Sequence, residues 1–344
     1  MSSLRDLLER VLEREHLTAT QAEALLAGLT DPQCPPVVVG AALAALRTKG
    51  VIADEVRGFA TGMRRLALTP PLPAGLRAID IVGTGGDTSG SLNISTGTAL
   101  LAAACGLPVV KHGNRSISSR AGSADVLEAL GVAVPLDEET AARALEESGF
   151  TFLFAPYYHP AMKQLAPLRK ALALRTIFNV LGPLTNPAAP PLYLIGAFSL
   201  EIARLIADAL AGMPIEHAFV VHGAGGWDEP TPVGPFELFD VHPGRVTQEQ
   251  RSPQDYGLPL CTPADLAGGD AQHNARALRA VFTGESRGAY RDCLLLGAAL
   301  ALEVAEPAIG RLAAIARAAR AIDDGSALRV LDTVAAVSNR SAPR

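Results

Sequence analysis

Cysteine, aromatic side chains, excess positive charge and long apolar runs are all scarce in this chain of 344 residues. The four cysteines, Cys34, Cys105, Cys261 and Cys293, form no C-x-x-C pair and mostly sit in apolar surroundings. They read as buried free thiols, which excludes a disulfide scaffold and leaves no zinc-ligand spacing. Aromatics make up 5% and there is one Trp, while Ala, Leu and Gly dominate, a balance that favours closely packed helices around a sheet over an all-β fold. Net charge is −5 and the pI about 5.8, with no basic stripe, so no nucleic-acid partner is expected. No uncharged run reaches membrane-spanning length, and Met1-Ser-Ser-Leu-Arg-Asp leads into a charged amphipathic pattern rather than a leader peptide. The expected setting is the reduced cytoplasm, with no membrane partner. Several catalytic signatures are missing too. A dinucleotide fingerprint starting at Gly83 would need a glycine where Thr88 stands; no Lys-Ser/Thr follows to make a P-loop; no Gly-x-Ser-x-Gly or Ser/His/Asp arrangement occurs.

What is present is ample apolar material, 49% hydrophobic against 19% charged, which argues against disorder. The length predicts a large domain plus a smaller one. Leu4, Leu7, Leu8, Val11 and Leu12 follow the helical period, a second helix opens near Thr18 or Thr20, and Pro35-Pro36 introduces a third that closes near Gly50. A fourth runs from about Ile52 to Leu66, and Thr69 to Gly75 reads as a linker. Residues 1–72 are thus expected to be a helical unit. From Ala78 short Val/Ile-rich runs alternate with helical patterns: strands at Ala78–Val82, Leu107–Val110, Val132–Leu136, Phe150–Phe154, Leu192–Ala197, His217–Val221 and Phe236–Val241, then mainly helix from Ala264 to Val337, with Ser338 to Arg344 a frayed tail. The fold class expected for residues 73–344 is α/β, a mostly parallel central sheet flanked by helices. In such sheets ligands sit beyond the carboxyl ends of the strands, where the loops after Val82, Val110, Phe154 and Val221 should gather.

Those loops carry the chemistry. Gly83-Thr-Gly-Gly-Asp87 suits close approach of backbone to a phosphate, or is simply a tight strand-to-helix turn. Asn93-Ile-Ser-Thr96 opens a helix, where free N–H groups favour an anion; Ser95 and Thr96 could equally be plain caps. Lys111-His-Gly-Asn-Arg-Ser-Ile-Ser-Ser119 concentrates a Lys, a His, an Asn, an Arg and three hydroxyls after a strand, more directional donors than a solvated loop usually holds. Lys111, Arg115 and Arg120 could supply the positive charge for a phosphate. Asp228-Glu229 are either hard oxygen ligands for Mg²⁺ or two solvated acids on a turn. Arg169 could grip a carboxylate through two parallel bonds, or pair with a surface acid. His112 and His159 could exchange protons or simply pack.

Taken together, Gly83-Thr-Gly-Gly-Asp87, Asn93-Ile-Ser-Thr96, Lys111-His-Gly-Asn-Arg115, Arg175-Thr-Ile-Phe-Asn-Val-Leu-Gly-Pro-Leu-Thr-Asn-Pro187 and Asp228-Glu229 resemble the anthranilate phosphoribosyltransferase family over nearly the whole chain. The resemblance implies a small helical domain, a larger α/β domain and a crossing segment near 169–184 acting as a hinge. It implies a homodimer formed through the helical part. It also implies joining of anthranilate to 5-phosphoribosyl 1-pyrophosphate (PRPP), with release of pyrophosphate. Carried over by position, the donor would be held by Gly83, Gly86, Asp87, Ser91, Asn93, Ile94, Ser95, Thr96, Lys111, His112, Gly113, Asn114, Arg115, Ser116, Ile117, Ser118, Ser119 and Ser123. Two Mg²⁺ ions with the donor pyrophosphate would be held by Ser95, Asp228 and Glu229. Gly83, Asn114, His159, Arg169 and Gly182 would line the anthranilate path, with Arg169 facing the carboxylate. No covalent catalytic residue is implied.

The sequence departs from the family pattern at Tyr157, at Trp227-Asp-Glu-Pro-Thr-Pro232 and at Gly297, all outside the phosphate motifs. Two other readings remain. Pyrimidine nucleoside phosphorylases resemble this chain but have Lys-His-Gly-Gly-Arg and a further C-terminal domain. A non-catalytic nucleic-acid-binding relative would show a basic surface and eroded motifs.

Overall fold

The structure is a computed structural model that describes residues 3–116 and 120–340. Four helices come first: α1 (Leu4–Leu12), α2 (Ala19–Leu29), α3 (Pro36–Lys49) and α4 (Ala53–Arg65). Their starts follow from local chemistry. Ser3 and Asp6 form a reciprocal capping box on α1, and Thr18 and Gln21 do so on α2. Pro36 occupies the first position of α3, and Gly50, at φ +84°, ends it. The buried Glu55 carboxylate accepts from the backbone of Leu17 and Ile52 and pairs with Lys49 at 2.8 Å, tying α2, α3 and α4 together.

The α/β part then follows as β1 (Ile79–Gly83), α5 (Ile94–Ala104), β2 (Val109–Gly113), α6 (Ser123–Ala129), α7 (Glu138–Ser148), β3 (Phe150–Phe154), α8 (Ala155–Tyr158), α9 (Met162–Leu172), α10 (Phe178–Leu181), β4 (Leu192–Gly196), α11 (Leu200–Ala211), β5 (His217–His222), β6 (Phe236–His242) and β7 (Arg245–Arg251). Helices α12 (Ala271–Phe282), α13 (Ala289–Ala305), α14 (Arg311–Asp323) and α15 (Ser326–Arg340) complete it. The seven strands lie in the order β3-β2-β1-β4-β5-β6-β7. The first five are parallel, and β6 and β7 are antiparallel additions. The chain therefore winds outward in both directions from β1 and β4, whose carboxyl ends, Gly83 and Gly196, are register partners. That is the topological switch point, where a crevice opens.

Alternation along the strands feeds two cores. Leu192 and Leu194 of β4 point into one with α5, α13 and α15; Tyr193 and Ile195 point into the other with α1 to α4 and α11. Helices of the N-terminal unit thus share a core with one face of the sheet.

Four expectations need correction. Residues Val132–Leu136 form no strand: Val132 N bonds the Leu127 carbonyl, Ala133 N bonds the Ser338 hydroxyl and Pro135 has no N–H to offer a ladder. Strand β2 runs on through Lys111, His112 and Gly113, because the Lys111 stem is buried and its ammonium bonds the Ile81 carbonyl at 2.5 Å. Strand β7, absent from the sequence reading, is a polar edge strand, which conceals its alternation. Finally, α15 continues through Ser338 to Arg340, held by buried Ser338, so the expected fraying does not begin there.

Candidate active site

The floor of the site is made by two glycines. A Cβ on Gly196 would overlap the Asp228 carbonyl, and one on Gly83 would press on the Asp228 carboxylate. Only bare backbone at the ends of β1 and β4 lets the loop after β5 lie across them. There, the Asp228 carboxylate accepts from Gly85 N at 2.5 Å, and Asp228 N approaches the Asp87 carboxylate at 3.5 Å. The Glu229 carboxylate accepts from Ser95 N at 3.1 Å, in the first turn of α5. The three expected metal-holding residues, Ser95, Asp228 and Glu229, are therefore together, on top of the glycine loop. Plain capping by Ser95 or Thr96 is not what is seen: the cap position is Asn93, and its side chain bonds Ala121 O and Asn274 instead. Gly85 and Gly86 take φ of +70° and +79°, and Ser91 pairs with Ala267 beyond the turn.

Beneath lies a buried charge network. The Asp80 carboxylate accepts from the Asn186 amide at 2.8 Å and from His112 N at 3.2 Å, with Lys111 close by. Burial pushes Asp80 up to about 6, against the opposing effect of Lys111. Burial lowers Lys111, while the charges of Asp80, Glu229 and Asp228 hold it up. Burial raises Asp228 well above the carboxylate range, with Glu229 and Asp87 adding repulsion. Burial likewise takes Glu229 to about 7. Carboxylates crowded this way, with hard oxygens converging beside a polyphosphate-sized loop, fit a divalent cation such as Mg²⁺.

The Lys111 segment divides. Lys111 faces inward, as does His112. Asn114 accepts through its carbonyl from Ser123 Oγ at 3.1 Å, and Ser116 N donates to Asp125, which also accepts from Gly122 N. The Arg115 guanidinium is clasped by Glu128 and Asp125 and stacks over Phe154, so in this structure its charge is already paired. Ile117, Ser118 and Ser119 lie outside the described residues.

On the other side of the crevice, the His112 ring packs edge-on to His159 at 5.1 Å, and its Nδ1 lies 3.2 Å from the Gly182 carbonyl. Burial drives His112 down to about 3 and His159 to about 4, so both rings are neutral near pH 7. His112 Nε2 and both His159 nitrogens are buried with no well-formed hydrogen bond among the described residues. Arg169 sits 5.0 Å over the Phe178 ring and pairs with no carboxylate among the described residues; its burial lowers its pKa. Phe178 belongs to α10, which runs into Gly182, so His112, His159, Gly182 and Arg169 border one region. Among the described residues Asn114 forms no hydrogen bond with that group; its oxygens accept from Arg115 N and Ser123 Oγ. Tyr157 turns its hydroxyl to Glu138 at 2.8 Å.

Arg175, Asp80, Asn186 and Asp125 also belong to the site, although residue type gives them no role of their own. Arg175 donates to the Gly86 carbonyl at 3.0 Å, stacks on Phe198, and its own carbonyl accepts from Arg47 of α3. With Arg64 of α4 bonded to the Leu184 carbonyl at 2.8 Å, the 169–184 segment touches both the helical unit and the glycine loop.

Two family models match: the glycosyl transferase family α/β domain over residues 75–328, and the glycosyl transferase family helical bundle domain over residues 5–67. The chain is 44% identical over 341 residues to the anthranilate phosphoribosyltransferase of Rubrobacter xylanophilus, covering 99% of each. It superposes on the crystal structure of anthranilate phosphoribosyltransferase from Thermus thermophilus with a TM-score of 0.91 at 37% identity, covering 97% of this chain and 99% of that one. The Saccharomyces cerevisiae enzyme in complex with PRPP and Mg gives a TM-score of 0.88 at 27% identity, covering 98% of each chain. The chain belongs to the glycosyl transferase family that contains the anthranilate phosphoribosyltransferases.

Proposed function

We propose that this chain transfers the 5-phosphoribosyl group of PRPP to the amine of anthranilate, yielding N-(5-phosphoribosyl)anthranilate and pyrophosphate in tryptophan biosynthesis. The observation that carries the reading is the meeting of Gly83–Asp87, the α5 N-terminus and Asp228-Glu229 at the sheet's switch point. Backbone N–H groups of the glycine loop and α5 would hold the pyrophosphate end, and Asn114 to Ser116 with Ser123 the ribose phosphate end. Asp228, Glu229 and Ser95 would hold two Mg²⁺ ions. When bound, Mg²⁺ offsets the charge that builds on the departing pyrophosphate.

No protein nucleophile is needed, since the anthranilate amine attacks the ribose C1 as the bond to pyrophosphate breaks. Its residues contribute alignment. Arg169 pairs with the anthranilate carboxylate, and the neutral His112 and His159 rings offer hydrogen-bonding nitrogens and apolar faces to an aromatic acceptor. Once the C–N bond forms, the amine is strongly acidic and its proton passes to water, so no protein base is required. The 169–184 segment would act as a hinge that brings the helical unit toward the glycine loop, and the helical part would carry the contact of a homodimer. No described helix is long and apolar enough to cross a membrane.

The test follows anthranilate fluorescence with PRPP and Mg²⁺ beside a no-donor control and a thymidine phosphorolysis arm. Donor-dependent loss of fluorescence with no phosphorolysis supports the reading. Phosphorolysis without anthranilate consumption reverses it in favour of a nucleoside phosphorylase.

A further inference from the structure

At the opposite end of the sheet, away from the carboxyl-terminal crevice, two histidines and an aspartate share one face. The antiparallel register that pairs Ala218 with Val241 sets His217 of β5 across from His242 of β6, and Asp240 lies on the same face two residues back. The imidazoles stack with centroids 4.3 Å apart and planes 7° from parallel. His217 Nε2 lies 2.9 Å and His242 Nε2 3.3 Å from the same oxygen, Asp240 Oδ1.

His217 Nδ1 lies 2.8 Å from the Val304 carbonyl. A carbonyl can only accept, so Nδ1 carries the proton, and in the neutral ring Nε2 then presents a lone pair to a carboxylate oxygen. Two lone pairs at 2.9 Å repel unless something positive lies between them. The Val304 carbonyl plays the part that an outer carbonyl plays behind a metal-ligating histidine: it fixes the tautomer and turns Nε2 outward. Val304 is the next-to-last residue of α13, whose carboxyl end favours a cation. Tetrahedral zinc with bonds of about 2.0–2.1 Å places its ligand atoms roughly 3.3 Å apart. The His242–Asp240 edge of 3.3 Å matches that value, and the His217–Asp240 edge of 2.9 Å is about 0.4 Å shorter.

We propose that His217, Asp240 and His242 form a second metal site, for a borderline divalent transition ion such as Zn²⁺, distinct from the Mg²⁺ carboxylates. Two imidazoles and one carboxylate select such an ion over Mg²⁺ or Ca²⁺. His217 is buried and fixed; His242, a third exposed, is the ligand that turns so that the stacked lone pairs converge. A fourth position stays open to water. Arg245 is exposed across the hairpin from His242, and Glu216, beside His217, is held by Arg77. Strand β5 separates the site from the crevice by about 17 Å at ~3.3 Å per residue. A bound ion would therefore pin the β6–β7 hairpin and the end of α13 to the sheet without touching substrate.

Tag-free protein, stripped with chelator, is titrated calorimetrically with Zn²⁺ and, separately, followed by visible absorption with Co²⁺. One ion per chain is expected at roughly micromolar affinity or better, with the absorption of tetrahedral cobalt and a Zn²⁺-dependent rise in Tm. His242→Ala and Asp240→Asn should each weaken binding about tenfold or more. His242→Ala should also abolish the Tm rise while leaving the Mg²⁺-dependent transferase rate unchanged. No Zn²⁺ uptake would mean that only protons bridge the three groups, and would overturn the site. Uptake equal in both variants would place the ion elsewhere and overturn it equally.

Discussion

Arg169 is the side chain whose assigned role is most exposed to a single substitution. Arg169→Ala is expected to raise the anthranilate KM by about 10- to 100-fold, the scale of a lost charge-assisted pair, and to leave the PRPP KM nearly unchanged. Equal effects on both constants, measured by initial rates, would remove it from the acceptor carboxylate. Replacing Asp228 and Glu229 together by Asn and Gln should lower turnover about 100-fold or more and shift the Mg²⁺ titration to higher concentration. An unchanged titration would take the metal away from this loop. His112 and His159 make a pH prediction. Their folded values, about 3 and about 4, lie below the ordinary value of about 6.5. The unfolded chain therefore binds more protons as pH falls below 6.5, and the stability these rings contribute at neutral pH is progressively lost toward pH 4 and below. Asp80, raised to about 6, acts in the opposite sense, because the folded state takes up its proton first as pH falls. The readout is thus a comparison: a His112→Gln, His159→Gln variant should lose Tm less steeply than the parent between pH 6.5 and 4.5. Residue type singled out the Lys111 segment, whereas Asp228-Glu229 read equally as solvated acids until the family resemblance was added. Residue type could not reveal that Lys111 bonds the Ile81 carbonyl beside the buried Asp80, that Asn186 bonds Asp80, or that Glu128 and Asp125 hold Arg115, since those partners are set by strand pairing and packing across the chain.

The strand ends matter as much as the loops they carry. Gly83 and Gly196 are adjacent in register and both lie against Asp228. Gly196→Ala should lift the Asp228-Glu229 loop off the sheet and cost on the order of 100-fold in turnover, the penalty of a misplacement of about 1 Å. Circular dichroism must show the fold retained, and turnover unchanged in such a variant would show the floor to be unimportant. The alternation of strands and helices was readable because parallel strands buried on both faces are continuous apolar runs. That same rule misled at Val132–Leu136, an apolar run whose backbone bonds go to Leu127 and Ser338 rather than to a strand. It also hid β7, whose Thr, Gln and Glu residues face solvent on an edge.

Across the whole molecule, the N-terminal helices and the sheet share an apolar core, and the 169–184 segment links both to the glycine loop. A homodimer through the helical part is in keeping with the exposure of Leu12 (59%) and Val37 (76%). Sedimentation should give twice the 35.7 kDa chain mass, and Val37→Asp should shift it toward monomer; a parent chain that sediments as monomer at all concentrations would contradict the dimer. The two-part organisation and the sheet class were legible from periodicity, whereas the switch point between β1 and β4 required the strand order, which local sequence does not encode. The most direct measurement of the central claim is a crystal structure with PRPP and Mn²⁺, the ion located by its anomalous signal. The expected map has the pyrophosphate on Gly83–Asp87 and the start of α5, with the ion against Asp228 and Glu229. A donor bound away from this crevice, or an ion held by neither carboxylate, would contradict it.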